Sequence, residues 1–418
     1  MQRILIRSGV NPYDKYSTSD YLARDLGGGN SGNLLYAAGI FRNIYGTDRV
    51  LDSNYYSLDL DQIEIINSKY SHFVIPLANA FRTDFKEITK LTDFIKKLKI
   101  PCVVTGVGGQ FEYDPRFDQK YEFDQRAKEF CHAVLDKSNS IGVRGEITAT
   151  YLKKSLNIPE DKIDVIGCPS IFYFGSRTPI LKKQKEFYDS NITFHSSASV
   201  NKKTWDDLLA LTRYAHKRFF IPQANYDLRT LYSGVPFKKL DISYPRTLSH
   251  TLHRHCRVRF FTRADSWINF YKQNIDYSIG IKIHGSIAAI LGGSRALLIA
   301  TDSRTRELAE FHHIPLVKEG SYKSIFELME MLTNENLLDQ FYNSYSQKYL
   351  NFKHFMNKNG VTLLESNPNI ANVNMIEGAE IGNVKSFLEV ESDEKINRMT
   401  ETYAQFQRKI LKLKNFIS

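Results

Sequence analysis

Short apolar runs that alternate with helix-like segments are the feature that most constrains this fold. In the first part of the chain the runs are HFVIPLA, PCVVTGVGG, SIGVRG and IDVIGCPS, at 72–78, 101–109, 140–145 and 163–170. They are almost continuously apolar, which is typical of strands buried on both faces of a parallel sheet. Helix-like segments lie between or beside them at 85–99, 125–137 and 146–156. This pattern predicts βαβ units around a parallel sheet.

The same alternation restarts after a polar stretch at 175–191, which we interpret as a linker. Further strands are predicted at 192–197, 218–224, 257–262, 276–283 and 295–301. The chain of 418 residues is too long for one ordinary core, so the pattern predicts an α/β protein with two Rossmann-like, doubly wound domains facing a cleft. We expect an N-terminal domain over 1–180, a C-terminal domain over 190–335 and a helical extension over 336–418.

Charge and cysteine content narrow the classes of function. The formal net charge of +10 favours anionic partners such as phosphorylated metabolites, nucleic acid or an acidic membrane surface. Basic patches do not interleave with aromatic residues as in nucleic-acid-binding modules, so we expect no nucleic-acid partner. The four cysteines form no C-x-x-C pair, and the histidines at 253–255 and 312–313 lack metal-pair spacing. We therefore expect no metal site, no transmembrane span and a cytoplasmic location.

The glycine-rich stretch LGGGNSGNLLYAAG, residues 26–39, formally satisfies the dinucleotide-binding pattern. That pattern requires a buried strand leading into its first glycine, and the preceding residues YSTSDYLARDL are too polar for one. A helix is predicted after the loop. Free backbone N–H groups at its N-terminus would hold an anion, whereas the alternative is a tight turn with an asparagine cap. The candidate residues of this loop are Asn30, Ser31, Gly32 and Asn33.

The turn GVRGE places Arg144 at a predicted strand end, with Gly145 and Glu146 opening the next helix. A guanidinium group at that position can bind a phosphate or carboxylate through two parallel hydrogen bonds. An ion pair at the surface or between the domains is the alternative.

The segment DYSIGIKIHGSIAAILGG, residues 276–293, is the strongest candidate for chemistry. Lys282 and His284 alternate at the predicted strand end and should face the same side, and Gly285 and Ser286 then begin a helix. Beside a lysine and at a helix N-terminus, His284 is expected to have a lowered pKa and to transfer protons near neutrality. A structural histidine is the alternative.

A further anion site is predicted where the strand RALLIAT ends. Asp302 or Ser303 can cap the next helix, whose first turn carries Arg304 and Arg306. Two cations oppose the helix dipole there, which is reasonable if an anion lies between them. The alternative is a solvated first turn in which these arginines pair with Glu307.

Taken in order, these pieces resemble the polysaccharide pyruvyl transferase family. The resemblance rests on Gly-Asn-Ser-Gly-Asn at 29–33, Gly-Val-Arg-Gly-Glu at 142–146, Gly-Cys-Pro at 167–169 and Lys-Ile-His-Gly-Ser-Ile-Ala-Ala at 282–289. It covers roughly residues 26 to 316. Lys282 stands where the family usually has arginine, so the charge is kept and the planar fork is lost. Gly142 stands where serine is common.

The resemblance implies a glycosyltransferase-B-like fold and transfer of pyruvate from phosphoenolpyruvate to a sugar of a cell-surface polysaccharide precursor as a ketal. Phosphoenolpyruvate would be the donor substrate and no cofactor is expected. Arg144, Lys282 and Arg304, with helix N-termini, would bind its phosphate and carboxylate, and His284 would be the acid/base. The acceptor would be a sugar or a lipid-linked oligosaccharide. The alternatives are a glycosyltransferase of the same fold that uses a nucleotide sugar, with Glu307 as ribose contact, and a catalytically inactive scaffold.

Near the end of the chain, Phe406, Ile410, Leu413 and Ile417 recur at helical spacing among basic residues. The basic neighbours are Arg408, Lys409, Lys412 and Lys414. This pattern predicts either a helix packed on the body or a basic amphipathic helix that contacts the inner face of the membrane.

Overall fold

The N-terminal unit is built on a four-stranded parallel sheet. In this computed structural model, which describes residues 1–238, 240, 242–363 and 382–417, the spatial order is β2 (Arg49–Ser53), β1 (Gln2–Ile6), β3 (His72–Pro76) and β5 (Cys102–Thr105). Ile4 of β1 is opposite both Leu51 and His72 in the register. Ile4 and Ile6 are fully buried, because β1 is central and both of its faces are covered.

Two short parallel pairs and six helices complete this unit. β4 (Asn79–Phe81) pairs with β6 (Gly108–Gly109), and β7 (Ile141–Val143) pairs with β8 (Ile163–Val165). A single bridge between Val107 and Val143 joins β7 to the chain that follows β5. The helices are α1 (Thr18–Arg24), α2 (Gly32–Ile44), α3 (Ile63–Lys69), α4 (Glu87–Lys97), α5 (Asp124–Leu135) and α6 (Glu146–Lys154).

The C-terminal unit has a five-stranded, wholly parallel sheet. Its order is β10 (Lys217–Phe220), β9 (Asn191–His195), β11 (Tyr277–Gly280), β12 (Arg295–Ala300) and β13 (Leu316–Lys318). Its helices are α7 (Lys202–Thr212), α8 (Asn225–Ser233), α9 (Thr251–Arg254), α10 (Ala264–Asn274), α11 (Ile283–Leu291), α12 (Ser303–His312) and α13 (Ile325–Thr333). Two parallel-sheet α/β units therefore face each other, which confirms the predicted fold class.

The last two helices pack back onto these units. α14 (Asp339–Lys358) returns to the N-terminal unit, where the ring of Phe352 stacks on Phe172 at 5.4 Å between centroids. The hydroxyl of Tyr345 on α14 also donates to the carbonyl oxygen of Gly175 at 2.8 Å. α15 (Ser392–Ile417) lies against α1 and α8. The division into domains, including a separate extension over 336–418, stays a prediction.

The strand predicted at 257–262 is wrong. Only single bridges occur there, between Phe220 and Val258 and between Phe261 and Asn383. Arg257 and Arg259 both lie over the ring of Phe219 on the outermost strand β10, so this segment covers an edge instead of extending the sheet.

Strands β1 and β2 were missed by the sequence analysis. Both are short, and charged residues interrupt their apolar character: Arg3 of β1 is paired with Asp52 of β2 at 2.5 Å.

Candidate active site

A cleft of about 550 Å³ lies between the two units, beyond the carboxyl ends of their strands. The N-terminal unit contributes Arg7, Ala78 and Arg144 to its lining, from the turns after β1, β3 and β7. The C-terminal unit contributes Lys282, His284 and Arg304 among others. Ligands of open parallel sheets bind at this edge, so the geometry agrees with the choice of strand-to-helix turns as candidates.

Arg144 is buried, with 4 % of its surface exposed, yet it lines the cleft. Its guanidinium group donates to the carbonyl oxygens of Ala78 and Gly106. Among the described residues it forms no direct ion pair with a carboxylate, so the alternative of a surface ion pair is wrong, and Glu307 of the C-terminal unit attracts it only without direct contact. Gly108 makes room for the side chain, because a Cβ at that position would be 2.3 Å from Cδ of Arg144. A cation held in place in this way, with no direct ion pair, is well suited to bind an anion.

His284 and Lys282 both line the cleft, but not from a strand. β11 ends at Gly280, Lys282 is the N-cap of α11, and His284 lies in the first turn of that helix. Nε2 of His284 is 3.8 Å from Sγ of Cys168, which belongs to the Gly-Cys-Pro turn of the N-terminal unit. A Cβ on residue 32 would be 2.6 Å from Nδ1 of His284. The imidazole is therefore held between Cys168 and Gly32.

The electrostatic surroundings keep His284 neutral. Burial is the largest cause and the Arg144 and Arg304 cations add to it, so the pKa of His284 falls well below its ordinary value near 6.5. The pKa of His284 is lowered as predicted, but the cations that contribute are Arg144 and Arg304 instead of Lys282. This pKa also lies further below neutrality than proton transfer near neutral pH requires. Burial also lowers the pKa of Lys282, followed by repulsion from Arg304. An anion bound between these cations would reverse part of both shifts.

Of the three residues predicted to bind substrate at the start of α12, only one lines the cleft. Arg304 lines the cleft and its Nη2 is 3.1 Å from the carboxylate of Asp302. Asp302 caps α12 by accepting from the backbone N–H of Thr305 at 2.9 Å. Ser303 is fully buried, and its hydroxyl bonds the backbone of Phe111 at 3.1 Å, so it joins the two units instead of lining the cleft.

Arg306 and Glu307 form neither an anion site nor a solvated pair with each other. Arg306 pairs with Asp114 at 2.5 Å and with Glu310 at 2.7 Å, outside the cleft. Glu307 is buried, with 2 % of its surface exposed, and its carboxylate accepts from the backbone N–H and the hydroxyl of Thr148. The predicted anion site between Arg304 and Arg306 and the alternative pairing of the arginines with Glu307 are therefore both wrong.

The backbone N–H groups of residues 28–33 in the glycine-rich loop are all engaged and are not free for an anion. These N–H groups all donate within the loop, to Asp25, or to the carbonyl oxygen of Gln223 in the C-terminal unit. Asn30 accepts from the N–H of Gly32 at 2.8 Å, and Asn33 donates to the carbonyl oxygen of Gly27 at 2.9 Å. The alternative of a tight turn is thus the correct one, although the N-cap of α2 is Ser31, which makes no side-chain cap hydrogen bond, and Asn30 accepts from the first N–H of the helix. Both asparagines line the cleft, whereas Ser31 and Gly32 are buried beneath it.

A scan against family models matches the polysaccharide pyruvyl transferase model to residues 15–303. The chain belongs to this family. The match spans the loop at 29–33, Arg144, the Gly-Cys-Pro turn and the first turn of α11. Three of these four motifs line the cleft, and the Gly-Cys-Pro turn lies beside His284 through Cys168.

Among curated proteins, none matches the sequence of this pyruvyl transferase family member. Solved structures with similar architecture include the S. aureus MnaA-UDP co-structure, with 12 % identity and a TM-score of 0.44 over 88 % of this chain and 100 % of that one. UDP-GlcNAc 2-epimerase from Neisseria meningitidis bound to UDP-GlcNAc has 11 % identity and a TM-score of 0.45 over 86 % and 100 %. The wall teichoic acid polymerase TagF, H444N variant, has 12 % identity and a TM-score of 0.34 over 89 % and 86 %.

Two histidines beside the cleft were not predicted from the sequence as part of the site. His195, at the end of β9, is fully buried and its Nδ1 accepts from the backbone N–H of Lys282 at 3.0 Å. His312 accepts from the backbone N–H of Cys168 through Nε2 at 2.9 Å. Each fixes the backbone beside a residue that lines or supports the cleft. The sequence signal of His195 and His312 was weak, because a histidine at a strand end or in a helix is usually structural.

Gly285 and Ser286, predicted to bind substrate, are buried behind the first turn of α11 and do not line the cleft. Their backbone N–H groups donate to the carbonyl oxygen of Lys282, and a Cβ at Gly285 would collide with the ring of His195. Ile283 and His284 begin the helix at the cleft, and the first N–H groups of a helix have no partner inside it. An anion would therefore meet these two N–H groups.

Among the described residues, no group of three or more His, Cys, Asp or Glu side chains could hold a metal ion. His253 of the 253–255 cluster is buried, and its Nε2 lies 3.0 Å from the carbonyl oxygen of Pro245. In the same part of the chain, no helix is both long and apolar enough to cross a membrane.

Proposed function

We propose that this chain transfers pyruvate from phosphoenolpyruvate to a sugar of a polysaccharide precursor as a ketal, with release of phosphate. One observation carries the proposal: Arg144, Lys282, Arg304 and the neutral His284 line the same cleft, and the Arg144 guanidinium pairs with no carboxylate of the described chain. Phosphoenolpyruvate carries a phosphate and a carboxylate, so it would neutralise this concentration of positive charge.

The three cations would bind the donor in different ways. Arg144 would use the edge of its guanidinium group that is not engaged with Ala78 and Gly106. Lys282 would act as a point charge, and Arg304 would exchange part of its pairing with Asp302 for the substrate. The open N–H groups of Ile283 and His284 add the partial positive charge of a helix N-terminus.

His284 is suited to move the proton. Binding of a polyanion between Arg144 and Arg304 would cancel the repulsion that lowers the pKa of His284, so the imidazole could be protonated in the donor complex. It would then donate this proton to the methylene carbon of phosphoenolpyruvate and generate an oxocarbenium-like centre. The carboxylate and phosphate beside that centre would stabilise its positive charge.

The remaining steps balance without a further reagent. A sugar hydroxyl attacks the cationic carbon and returns its proton to His284, after which the bond to the phosphate oxygen breaks. A second hydroxyl of the same sugar attacks the carbon and closes the ketal, and its proton leaves with the phosphate. One hydroxyl proton thus ends in the new methyl group and the other on phosphate. No step needs a metal or an organic cofactor, so we expect none.

A glycosyltransferase that uses a nucleotide sugar is less well supported. That alternative depends on Glu307 as the carboxylate that contacts a ribose. Glu307 instead accepts two hydrogen bonds from Thr148 and is buried between α6 and α12. Arg144 also argues against a catalytically inactive scaffold, since a buried charge without a direct ion pair is costly to retain.

The test is to incubate the protein with phosphoenolpyruvate and a panel of glycosides, and to measure phosphate release and product mass. We expect phosphate in equal amount to a product heavier by one pyruvate less one water. His284→Ala should abolish turnover and keep donor binding, whereas Arg144→Gln should weaken donor binding itself. Consumption of nucleotide sugars alone would refute pyruvyl transfer.

We further propose a peripheral contact of α15 with the anionic inner face of the cytoplasmic membrane. α15 faces the body through Arg398 and Thr402, which are buried, whereas several of its described apolar side chains are exposed. Ile396, Met399, Tyr403 and Ile410 are 61, 56, 65 and 48 % exposed and recur at helical spacing. The second half of the helix, 402–417, contains basic residues and no acidic ones. An apolar stripe beside positive charge matches an anionic lipid surface.

A further inference from the structure

The cleft is larger than the donor needs. A volume of about 550 Å³ is in the range that holds a drug-sized ligand, whereas phosphoenolpyruvate is a three-carbon acid. The part formed by the N-terminal unit alone has a different character from the end around His284. It is lined by Arg7, Arg24, Tyr55, Tyr56 and Arg82, among others.

Tyr55 and Tyr56 hold a strained backbone conformation at this wall. Their φ angles are 50° and 58°, in the left-handed region that side-chain-bearing residues seldom adopt. Each costs about 1 kcal/mol or more, and two in succession are retained only where the surroundings fix them. Here the N–H of Tyr55 donates to Oγ of Ser53, and that of Tyr56 donates to the carbonyl oxygen of Ser8. The turn places both rings at the cleft.

Each of these rings supports a guanidinium group. Arg7 lies over the ring of Tyr56 at 4.9 Å, and Arg24 lies over that of Tyr55 at 5.2 Å. Stacking fixes the plane of a guanidinium group and leaves its N–H edge available for a phosphate or carboxylate. Nε of Arg7 is buried and has no hydrogen-bond partner in the described chain. An N–H group in that position lacks an acceptor that a bound ligand would supply.

The acidic residues of this wall do not satisfy Arg7. Asp25 already accepts from the N–H of Gly29 at 2.7 Å and from the side-chain amide of Asn225 at 2.5 Å. Glu87 also lines the cleft and attracts Arg7 electrostatically, but forms no ion pair with it among the described residues. Arg82 has a carboxylate nearby, since its Nε is 3.2 Å from Asp84, although this Nε also forms no hydrogen bond in the described chain. Among the described residues, Arg7 combines a stacked guanidinium group with a buried N–H that has neither an acceptor nor an ion pair.

We propose that Arg7, stacked on Tyr56, binds a phosphate group of the acceptor, and that the acceptor is a glycosyl diphosphate. This inference rests on the proposed pyruvyl transfer and names its acceptor class. Arg24 adds a second cation for the diphosphate, and Tyr55, which is 44 % exposed, provides an apolar face for the sugar ring. The hydroxyls of that sugar then point along the cleft toward His284.

A lipid carrier and a nucleotide both supply a glycosyl diphosphate. The experiment therefore measures binding of farnesyl-diphosphate-linked N-acetylglucosamine, of UDP-N-acetylglucosamine and of methyl N-acetylglucosaminide by calorimetry at constant salt. The third compound lacks the phosphates. We expect at least one glycosyl diphosphate to bind about tenfold or more tightly than the methyl glycoside, the size of a lost charge-assisted hydrogen bond. Which of the two binds identifies the carrier.

Matched variants separate this subsite from the donor site. Arg7→Gln should remove the preference for the diphosphate and leave phosphoenolpyruvate binding unchanged, and Arg144→Gln should do the reverse. Arg7→Lys keeps the charge without the planar fork and should retain only part of the preference. Melting temperatures show whether each variant folds. If Arg7→Gln is unstable, the reduced preference for the glycosyl diphosphate must appear in Arg7→Lys.

Two results would overturn the inference: wild-type preference in the folded Arg7 variants, or loss of diphosphate binding in Arg144→Gln alone. Failure of the proposed pyruvyl transfer would give a different pattern of results. Arg7-dependent diphosphate binding without phosphate release from phosphoenolpyruvate, on any acceptor, would refute pyruvyl transfer and leave the subsite standing. Equal kcat/KM on methyl glycosides and glycosyl diphosphates would refute the subsite and leave pyruvyl transfer standing.

Discussion

Glu307 on α12 accepts hydrogen bonds from both the backbone N–H and the hydroxyl of Thr148 on α6, at 2.9 and 2.8 Å. The N-cap of α6 is Gly145, which has no side chain to cap the helix, so Glu307 provides the cap from the other unit. α6 begins directly after Arg144. The contact therefore ties the position of the donor-binding arginine to the C-terminal unit.

Glu307→Gln should change how stability depends on pH. Burial raises the pKa of Glu307 from 4.5 to about 7. Between these values the folded protein holds a proton that the unfolded chain has lost, so the free energy of unfolding falls as pH rises. The difference corresponds to roughly 3 kcal/mol at most. Glutamine cannot ionise and should flatten this dependence.

Urea unfolding at several pH values between pH 5 and pH 8 measures this effect. Glu310→Gln is the matched control, because Glu310 lies on the same helix but is exposed and paired with Arg306. This control variant should leave the pH dependence of the free energy of unfolding nearly as in the wild type. An unchanged slope in Glu307→Gln would show that another group titrates in this interval.

Gly32→Ala should impair catalysis more than folding. Residue 32 opens α2, where alanine is favoured over glycine, so overpacking of the buried site should lower the free energy of unfolding by only about 1–3 kcal/mol. The added methyl group would, however, be 2.6 Å from Nδ1 of His284 and displace the imidazole. We expect kcat to fall about tenfold or more, since misplaced acid/base groups lose rate steeply. Steady-state kinetics with donor binding measured in parallel provides the test, and a wild-type kcat would show that Gly32 does not position His284.

The strands and turns of the site could be predicted because they depend on local pattern. The continuous apolar runs identified β3, β5, β9, β11 and β12, and the rule that ligands bind beyond strand ends led to Arg144, Lys282, His284 and Arg304. β1 was not predicted because it is short and carries Arg3. The charge of Arg3 is compensated by Asp52, about fifty residues away in the sequence. Pairings over such separations are invisible in a local pattern.

The roles of the glycines and of Glu307 could not be predicted for the same reason. Gly32 faces His284, and Glu307 faces Thr148, only after the two units have come together. The glycine-rich loop was expected to offer backbone N–H groups, but Asn30 and Gln223 already accept from them. Sequence identifies which groups can donate, whereas only the fold shows which of them remain free.

His284 should become protonated when the donor binds. In the free protein its pKa lies well below 6.5, because of burial and then the Arg144 and Arg304 charges. Phosphoenolpyruvate should raise this pKa, since the anion stabilises the imidazolium form. Titration of the imidazole Cε1–H resonance by NMR, with and without the donor, measures the shift.

Arg144→Gln is the matched variant for this titration. It should raise the pKa of His284 in the free protein and reduce the response to phosphoenolpyruvate, because one of the repelling cations is gone and the anion is held less well. The same pKa with and without bound donor would contradict the proposed role of His284 as the proton donor.

α15 should bind anionic membranes through its exposed stripe. Full-length protein is sedimented with vesicles of phosphatidylglycerol and phosphatidylcholine, or of phosphatidylcholine alone. We expect binding to the anionic vesicles that weakens with salt. Met399→Ser with Tyr403→Ser should reduce this binding about tenfold or more, because both side chains, 56 and 65 % exposed, lose their burial in lipid.

Ile180→Ser is the control, because it removes an 87 % exposed apolar side chain from the linker and should leave membrane binding unchanged. Equal binding of the double variant would exclude α15 as the contact, and a concentration-dependent dimer that the double variant abolishes would assign the stripe to a second copy of this chain.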